Sequence, residues 1–277
     1  IYMKKVVVIN NKIKKFKVKN VNVLGDKSIS IRFVILASLS RGKCVAKNIL
    51  KSEDVLSVIK ILRKLGIKIK LKKNFCEVYG KGLEGYKFKK NLLLDAGNSG
   101  TTARLICATL INSNHNIKIT GDDSLKKRDM NRIIYPLEKF GLNFKKNNGK
   151  LPLTIKGSNS LKPIKYFEKL GSAQCKSAVM IASLFVSGKT YIKCLPSRSH
   201  TEIMFQKVLK IPIKRRKNKN FEFIDIVGKK EFNAFNYNIP GDISSASFFI
   251  VLTLLSKNSK LKIKNINVNP SRIGIIK

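Results

Sequence analysis

The chain has 277 residues, 43% of them hydrophobic, which suffices for a packed core and excludes wholesale disorder. It carries 57 Lys+Arg against 16 Asp+Glu, a formal charge of +41, and its only histidines are His115 and His200, which excludes a His-rich metal site or a multi-histidine relay. No apolar run is long enough to span a membrane and Ile1 to Val8 lacks the plan of a signal peptide, so a cytoplasmic protein with no membrane partner is expected.

In chain order, residues 1–23 alternate apolar and polar positions (Val6, Val8; Phe16, Val18) and predict two strands. Gly25 opens a helix that ends at Arg41-Gly42, and Lys43 to Ile49 is strand-like. Ser52-Glu53-Asp54 is a cap signal for an amphipathic helix, Val55 to Leu65, stopped at Gly66. Strands are expected at Lys68 to Leu71 and Phe75 to Tyr79, giving a β-α-β-α-β-β unit. A second copy has a strand at Leu92 to Leu94, a helix after Gly97 reaching about Leu110, a strand at Ile117 to Thr120, and a helix from Asn131 to Phe140 ended by Gly141. A third has a helix after Gly171, a strand at Thr190 to Cys194, a helix after Pro196-Ser197-Arg198, a charged turn at Lys214 to Asn220 and a closing strand near Phe221 to Val227. A fourth starts at Gly241, runs through a strand at Lys260 to Ile266, and opens a second helix at Asn269 to Gly274.

The repeat is visible in four segments: GDKSISIR from Gly25, GNSGTTAR from Gly97, GSAQCKSA from Gly171 and GDISSASF from Gly241, spaced by 72, 74 and 70 residues. A period this regular marks one supersecondary unit copied several times. Each start brings backbone N–H groups and hydroxyls to a helix N-terminus, where the dipole favours an anion. Lys27, Ser28 and Arg32 strengthen that signal: Arg32 lies four residues after Ser28, on the same helix face one turn deeper. The 47 lysines against ten arginines are spread along the chain beside an excess of Asn and Ile, a pattern that favours compositional drift over a selected nucleic-acid surface. The five cysteines, Cys44, Cys76, Cys107, Cys175 and Cys194, are odd in number, lack CxxC spacing and read as buried thiols rather than a metal site.

Seven ordered motifs, GDKSISIR, GNSGTTARL, TGDDSLKKRDM, LPLTIKG, SAQCKSA, PSRSHTE and PGDISSASFF, resemble those of the enolpyruvyl transferases, nearest their 3-phosphoshikimate 1-carboxyvinyltransferase branch. The resemblance runs from about Val23 to Gly274. The UDP-N-acetylglucosamine branch normally has a reactive Cys in the loop matching GDDSLKKRDM, and that loop has none here.

The resemblance implies an α/β fold, an inside-out barrel of repeated β-α-β-α-β-β units in two domains. Residues 24–239 would be a complete three-unit domain, and 1–23 plus 240–277 a partial one. It implies transfer of the enolpyruvyl group of phosphoenolpyruvate to the 5-hydroxyl of shikimate 3-phosphate, releasing phosphate, with no cofactor and no metal. By position, Lys27 would touch both substrates. Ser28, Arg32, Ser172, Ala173 and Gln174 would surround shikimate 3-phosphate, and Arg198 would add a phosphate contact. Asn98, Gly100 and Arg128 would face phosphoenolpyruvate, with Gly100 allowing close backbone approach.

Leu24, Ile31, Asp129 and Ser199 depart from the usual pattern, and Asp129 is expected to place a carboxylate beside Arg128. The family's general base and proton carrier come from its last units, so they are expected beyond Lys277, on a continuation or a separate C-terminal chain. A truncated, non-catalytic shikimate 3-phosphate binder and a basic nucleic-acid-binding protein remain alternatives; steep salt dependence would mark the second.

Overall fold

The computed structural model describes residues 14–73, 75–145 and 147–276, so the expected strand around Val6 and Val8 lies outside the described residues. The first described elements are β1 (Lys17–Asn22), α1 (Lys27–Leu39), β2 (Arg41–Lys47), α2 (Glu53–Lys64), β3 (Lys68–Leu71) and β4 (Phe75–Lys81). The next are β5 (Leu92–Asp95), α3 (Gly100–Thr109), β6 (Ile117–Thr120), α4 (Asp123–Lys126), α5 (Asn131–Phe140), β7 (Asn143–Lys145) and β8 (Leu153–Lys156). Then come β9 (Lys165–Glu168), α6 (Ala173–Ser183), β10 (Lys189–Cys194), α7 (His200–Ile203), β11 (Ile213–Lys217) and β12 (Glu222–Val227). The last are β13 (Asn236–Asn238), α8 (Ile243–Leu255) and β14 (Lys260–Lys264).

The repeated α/β architecture is as expected. Three four-stranded sheets have the orders β13-β2-β4-β3, β5-β6-β8-β7 and β9-β10-β12-β11, and each pairs its first two strands in parallel. Helices α1, α3 and α6 lie inside. They are apolar or small on nearly every face, and α1 is buried from Ile29 to Leu39. Helices α2 and α5 bury one stripe each, Val55, Val58, Ile59 and Leu62 in the first and Ile133, Ile134, Leu137 and Phe140 in the second. Gly66 and Gly141 end them with φ of +85° and +118°, a left-handed turn that glycine adopts without strain. All five cysteines are free and buried.

Two expectations are corrected. Lys214 to Lys217 is not a turn but most of β11, an edge strand whose Arg215 and Arg216 reach across to Glu222 and Asp225 on β12. Asn269 to Gly274 forms turns rather than opening a helix. β1 pairs in parallel with β14, Lys17 opposite Lys260, so it lies beside the last segment, and β13 takes the place next to β2 in the first sheet.

The two segments that make this exchange cross as a bridge between Gly25 and Gly241. The Asp26 amide donates to the Pro240 carbonyl at 2.8 Å and the Asp242 amide to the Leu24 carbonyl at 2.9 Å. Asn48 ties the crossing to β2: its Nδ2 donates to the Ile239 carbonyl at 3.0 Å. Beyond the crossing, α8 is apolar all round yet leaves Phe248, Leu254 and Leu255 76%, 78% and 75% exposed.

A Cβ on Gly25 would stand 1.9 Å from the Asn48 carbonyl oxygen. Gly25→Ala is therefore expected to cost about 2 kcal/mol, the usual scale of overpacking, and to lower Tm by roughly 4–8 °C in a thermal melt. Gly274→Ala, where nothing lies within 4 Å, is the neutral control.

Candidate functional site

Each repeated segment starts its helix with a side-chain cap. Asp26 Oδ1 accepts from the Ile29 amide (3.0 Å), Ser99 Oγ from Thr102 (3.3 Å), Ser172 Oγ from Cys175 (3.3 Å) and Asp242 Oδ1 from Ser244 (2.8 Å). Two of these caps are carboxylates, so the helix starts at Asp26 and Asp242 are already offset by negative charge. Recognition of an anion here therefore depends on side chains more than on bare helix ends.

The starts of α1, α3 and α6 converge. Lys27 Nζ meets Asp54 Oδ2 at 3.1 Å, and the Asp54 carbonyl accepts from Thr102 Oγ1 on α3 at 3.4 Å. Gln174 on α6 donates to Thr101 Oγ1 at 2.8 Å and accepts from Arg104 Nη1 at 2.6 Å. Arg32 is only 3% exposed. Its Nε donates to Thr201 Oγ1 at 2.8 Å, Nη2 to Ser177 Oγ at 2.9 Å and Nη1 to the Ser28 carbonyl at 3.0 Å. Burial lowers its pKa to about 10, against the pull of Glu202 and Asp26, so it stays charged at neutral pH. Three neutral acceptors hold this guanidinium without neutralising it, leaving its charge available to a ligand.

A second cationic group forms around Gly100. Arg128 Nη2 donates to Asn98 Oδ1 at 3.0 Å, and Asn98 Nδ2 donates to Asp122 Oδ2 at 2.6 Å. A Cβ on Gly100 would come within 2.9 Å of Arg104 Nη1 and 3.3 Å of Arg128 Nη1. The glycine therefore keeps open the space between two guanidinium groups. Arg104 was not singled out from the sequence, although it closes GNSGTTAR at the same place where Arg32 closes GDKSISIR. Asp129 does not face Arg128 as expected. Its Oδ1 accepts from the Asn131 amide at 3.0 Å and its Oδ2 lies 3.6 Å from Arg132 Nε.

Ser172, Ala173, Gln174 and Arg198 line a cleft of about 1020 Å³ together with Lys207 and Arg215. Burial, then the neighbouring Arg272, lowers the Arg198 pKa. Beneath the cleft lies Lys176, fully buried, 2.6 Å from Glu202 Oε1 and 3.4 Å from Glu222 Oε2. Burial opposes its charge, but the pull of Glu202 together with Cys194 and Glu222 holds its pKa above the ordinary lysine value. Glu202 follows Thr201, so this ion pair fixes the short helix that positions the Arg32 partner. Lys176 and Glu202 were also missed in the sequence, where a lysine in SAQCKSA looks like one of many.

The EPSP synthase (3-phosphoshikimate 1-carboxyvinyltransferase) family model matches residues 12–277. The chain belongs to this family. It is 43% identical over 270 residues to the 3-phosphoshikimate 1-carboxyvinyltransferase of Ruthia magnifica subsp. Calyptogena magnifica, covering 95% of this chain and 61% of the relative. It is 42% identical over 266 residues to that of Thermoanaerobacter sp. (strain X514), again with 95% and 61% covered. A solved EPSP synthase from Acinetobacter baumannii superposes with a TM-score of 0.86 at 32% identity, over 95% of this chain and 58% of that one. The chain thus spans about three-fifths of the length of the curated relatives it matches. The resemblance read from seven motifs is borne out as family membership, and the fold follows with it.

Removing one partner of a buried ion pair strands the other charge. Lys176→Met is expected to destabilise the protein by about 3–5 kcal/mol in urea unfolding, and Lys176→Met/Glu202→Leu to recover most of that loss. His200 gives a pH test. It is buried, Nδ1 lies 3.4 Å from Asn269 Nδ2, and Nε2 has no hydrogen-bond partner among the described residues. Burial, then Arg32, Arg272 and Arg198, depresses its pKa from 6.5 to about 3. The folded state holds it neutral, so its contribution is present above pH 6.5 and is lost as pH falls toward 3. His200→Gln should flatten the urea midpoint across that window relative to the parent chain.

Proposed function

We propose that this chain binds shikimate 3-phosphate and phosphoenolpyruvate and serves the transfer of the enolpyruvyl group to the 5-hydroxyl, within aromatic amino acid biosynthesis. The observation that carries this is the convergence of three helix starts on unneutralised guanidinium groups, Arg32 on one side and Arg104 with Arg128 on the other. Arg32, Ser28, Ser172, Ala173, Gln174 and Arg198 would surround the shikimate phosphate and carboxylate. Arg128, beside Gly100 and Asn98, would grip phosphoenolpyruvate, and Lys27 would touch both. Two polyanionic substrates need cations on both sides, and planar guanidinium groups match carboxylate and phosphate.

In the proposed reaction the 5-hydroxyl oxygen bonds to C2 of phosphoenolpyruvate as its proton departs and C3 gains a proton. Loss of a proton from C3 then expels inorganic phosphate as the C2–O bond breaks. Both steps need a proton acceptor. The carboxylates nearest the helix starts are already engaged: Asp26 and Asp242 as caps, Asp54 with Lys27, Asp122 with Asn98, and Glu222 with Lys176. The part we assign to the described residues is therefore binding, orientation and charge stabilisation. We further propose that residues 24–239 form the anion-holding body. Additional repeat units, on a continuation or a separate chain, would pack on α8 and bring the proton-transferring carboxylates.

Calorimetry tests the reading: the chain should bind shikimate 3-phosphate, and Arg32→Met should weaken that binding by about 3 kcal/mol, on the order of 100-fold. Folded protein giving no heat with shikimate 3-phosphate would overturn it.

A further inference from the structure

Compositional drift can scatter lysine over a whole surface, but it does not gather exposed aromatic rings at one place. Such a gathering exists on the outer face of the third sheet, away from the cleft. Phe167 on β9 and Tyr191 on β10 point outward, 38% and 39% exposed, and Tyr135 on α5 is 59% exposed nearby. Phe221 stacks edge-on against Phe167, with ring centroids 5.6 Å apart. Two adjoining clefts, about 550 and 570 Å³, share Lys165, Tyr166 and Phe167, so the rings border one continuous track.

Phe167, Phe221, Tyr191 and Tyr135 each have a cation over one face. Lys193 Nζ sits 4.1 Å from the Phe221 centroid and 4.8 Å from that of Phe167, Lys189 lies 4.9 Å from Tyr191, and Lys139 lies 4.5 Å from Tyr135. The carboxylates here are occupied. Asp225 takes Arg216 and Lys189, and Glu168 turns inward to accept from the Leu170 and Ser172 amides. Lys165, Lys169 and Lys193 have no ion pair among the described residues. On the first sheet Lys68 and Lys70 stand over Tyr79 and Lys72 over Phe75, but neither ring is among the exposed ones; the second sheet's one described strand aromatic, Phe144, packs against the core.

We propose that this face binds single-stranded nucleic acid. Unpaired lysines track a phosphate backbone, and solvent-facing rings between them offer stacking surfaces to successive bases. Duplex DNA hides its base faces and fits such a track poorly. The inference is independent of the proposed substrate cleft, which lies on the other side of β10 and β12.

The experiment is fluorescence anisotropy of the full chain with labelled oligothymidylate, compared with a labelled polyphosphate of equal charge across a salt series. Oligothymidylate should bind more tightly than polyphosphate at every salt concentration. Phe167→Ala/Tyr191→Ala should weaken oligothymidylate by at least about tenfold and leave polyphosphate unchanged. Lys165→Glu/Lys193→Glu should weaken both ligands and flatten the dependence of log K on log salt. Equal affinity for the two ligands, or ring variants without effect while circular dichroism shows an intact fold, would overturn the proposal and leave only diffuse attraction to a basic surface.

Discussion

Two stretches of chain must pass each other between Val23 and Lys27 on one side and Ile239 and Ile243 on the other. Their backbones touch at Gly25 and Gly241, where a Cβ would stand 1.9 Å from the Asn48 carbonyl oxygen at the first and 3.1 Å from the Val23 carbonyl oxygen at the second. Immediately after the crossing each stretch becomes a helix, capped by Asp26 or Asp242. Lys27 is therefore placed by the crossing itself, with its amide 3.4 Å from Asp242 Oδ2 and its ammonium directed at Asp54. The exchange of β1 and β13 between sheets follows from the same geometry.

Downstream of that constraint, the site is organised by separating charge that is used from charge that is stored. Arg32 is held by two hydroxyls and a carbonyl, and so keeps its full positive charge inside the protein. Lys176, one turn before Met180 on α6, is instead cancelled by Glu202. Both are buried cations, but among the described residues only the first lacks a carboxylate partner within ion-pair distance. Glu202 and Thr201 are adjacent, so the cancelled pair is the mount on which the uncancelled one rests.

Much of this was legible in the sequence because it is local. The stops at Gly66 and Gly141, the Asn131–Phe140 helix and the four capped starts all depend on neighbours within a few residues. What was illegible is nonlocal. The pairing of β13 with β2 joins Asn236 to Val45, and nothing in NYN announces its partner. The IKRRK strand hid behind its charges, since an edge strand needs few apolar residues and gains protection from cations. Arg104 was readable in principle, had the four segments been aligned to their eighth residue. Asp129 could not be placed from its neighbour Arg128, because the turn between α4 and α5 sends the two side chains apart.

The pairing of β1 with β14 also sets an order of events in the cell. Lys17 lies opposite Lys260, so the first described strand emerges long before its partner exists. At about 5–20 residues per second of synthesis, the wait is on the order of 12–50 s. For that time β1 is an unpaired edge on a nascent chain. Its sequence, KVKNVN, suits it to wait, because lysines and asparagines discourage pairing with other chains. The three-sheet body can meanwhile close its own core, except for the place beside β2 that waits for β13. The pairing of β1 with β14 then closes the exchange that the Gly25–Gly241 crossing sets up.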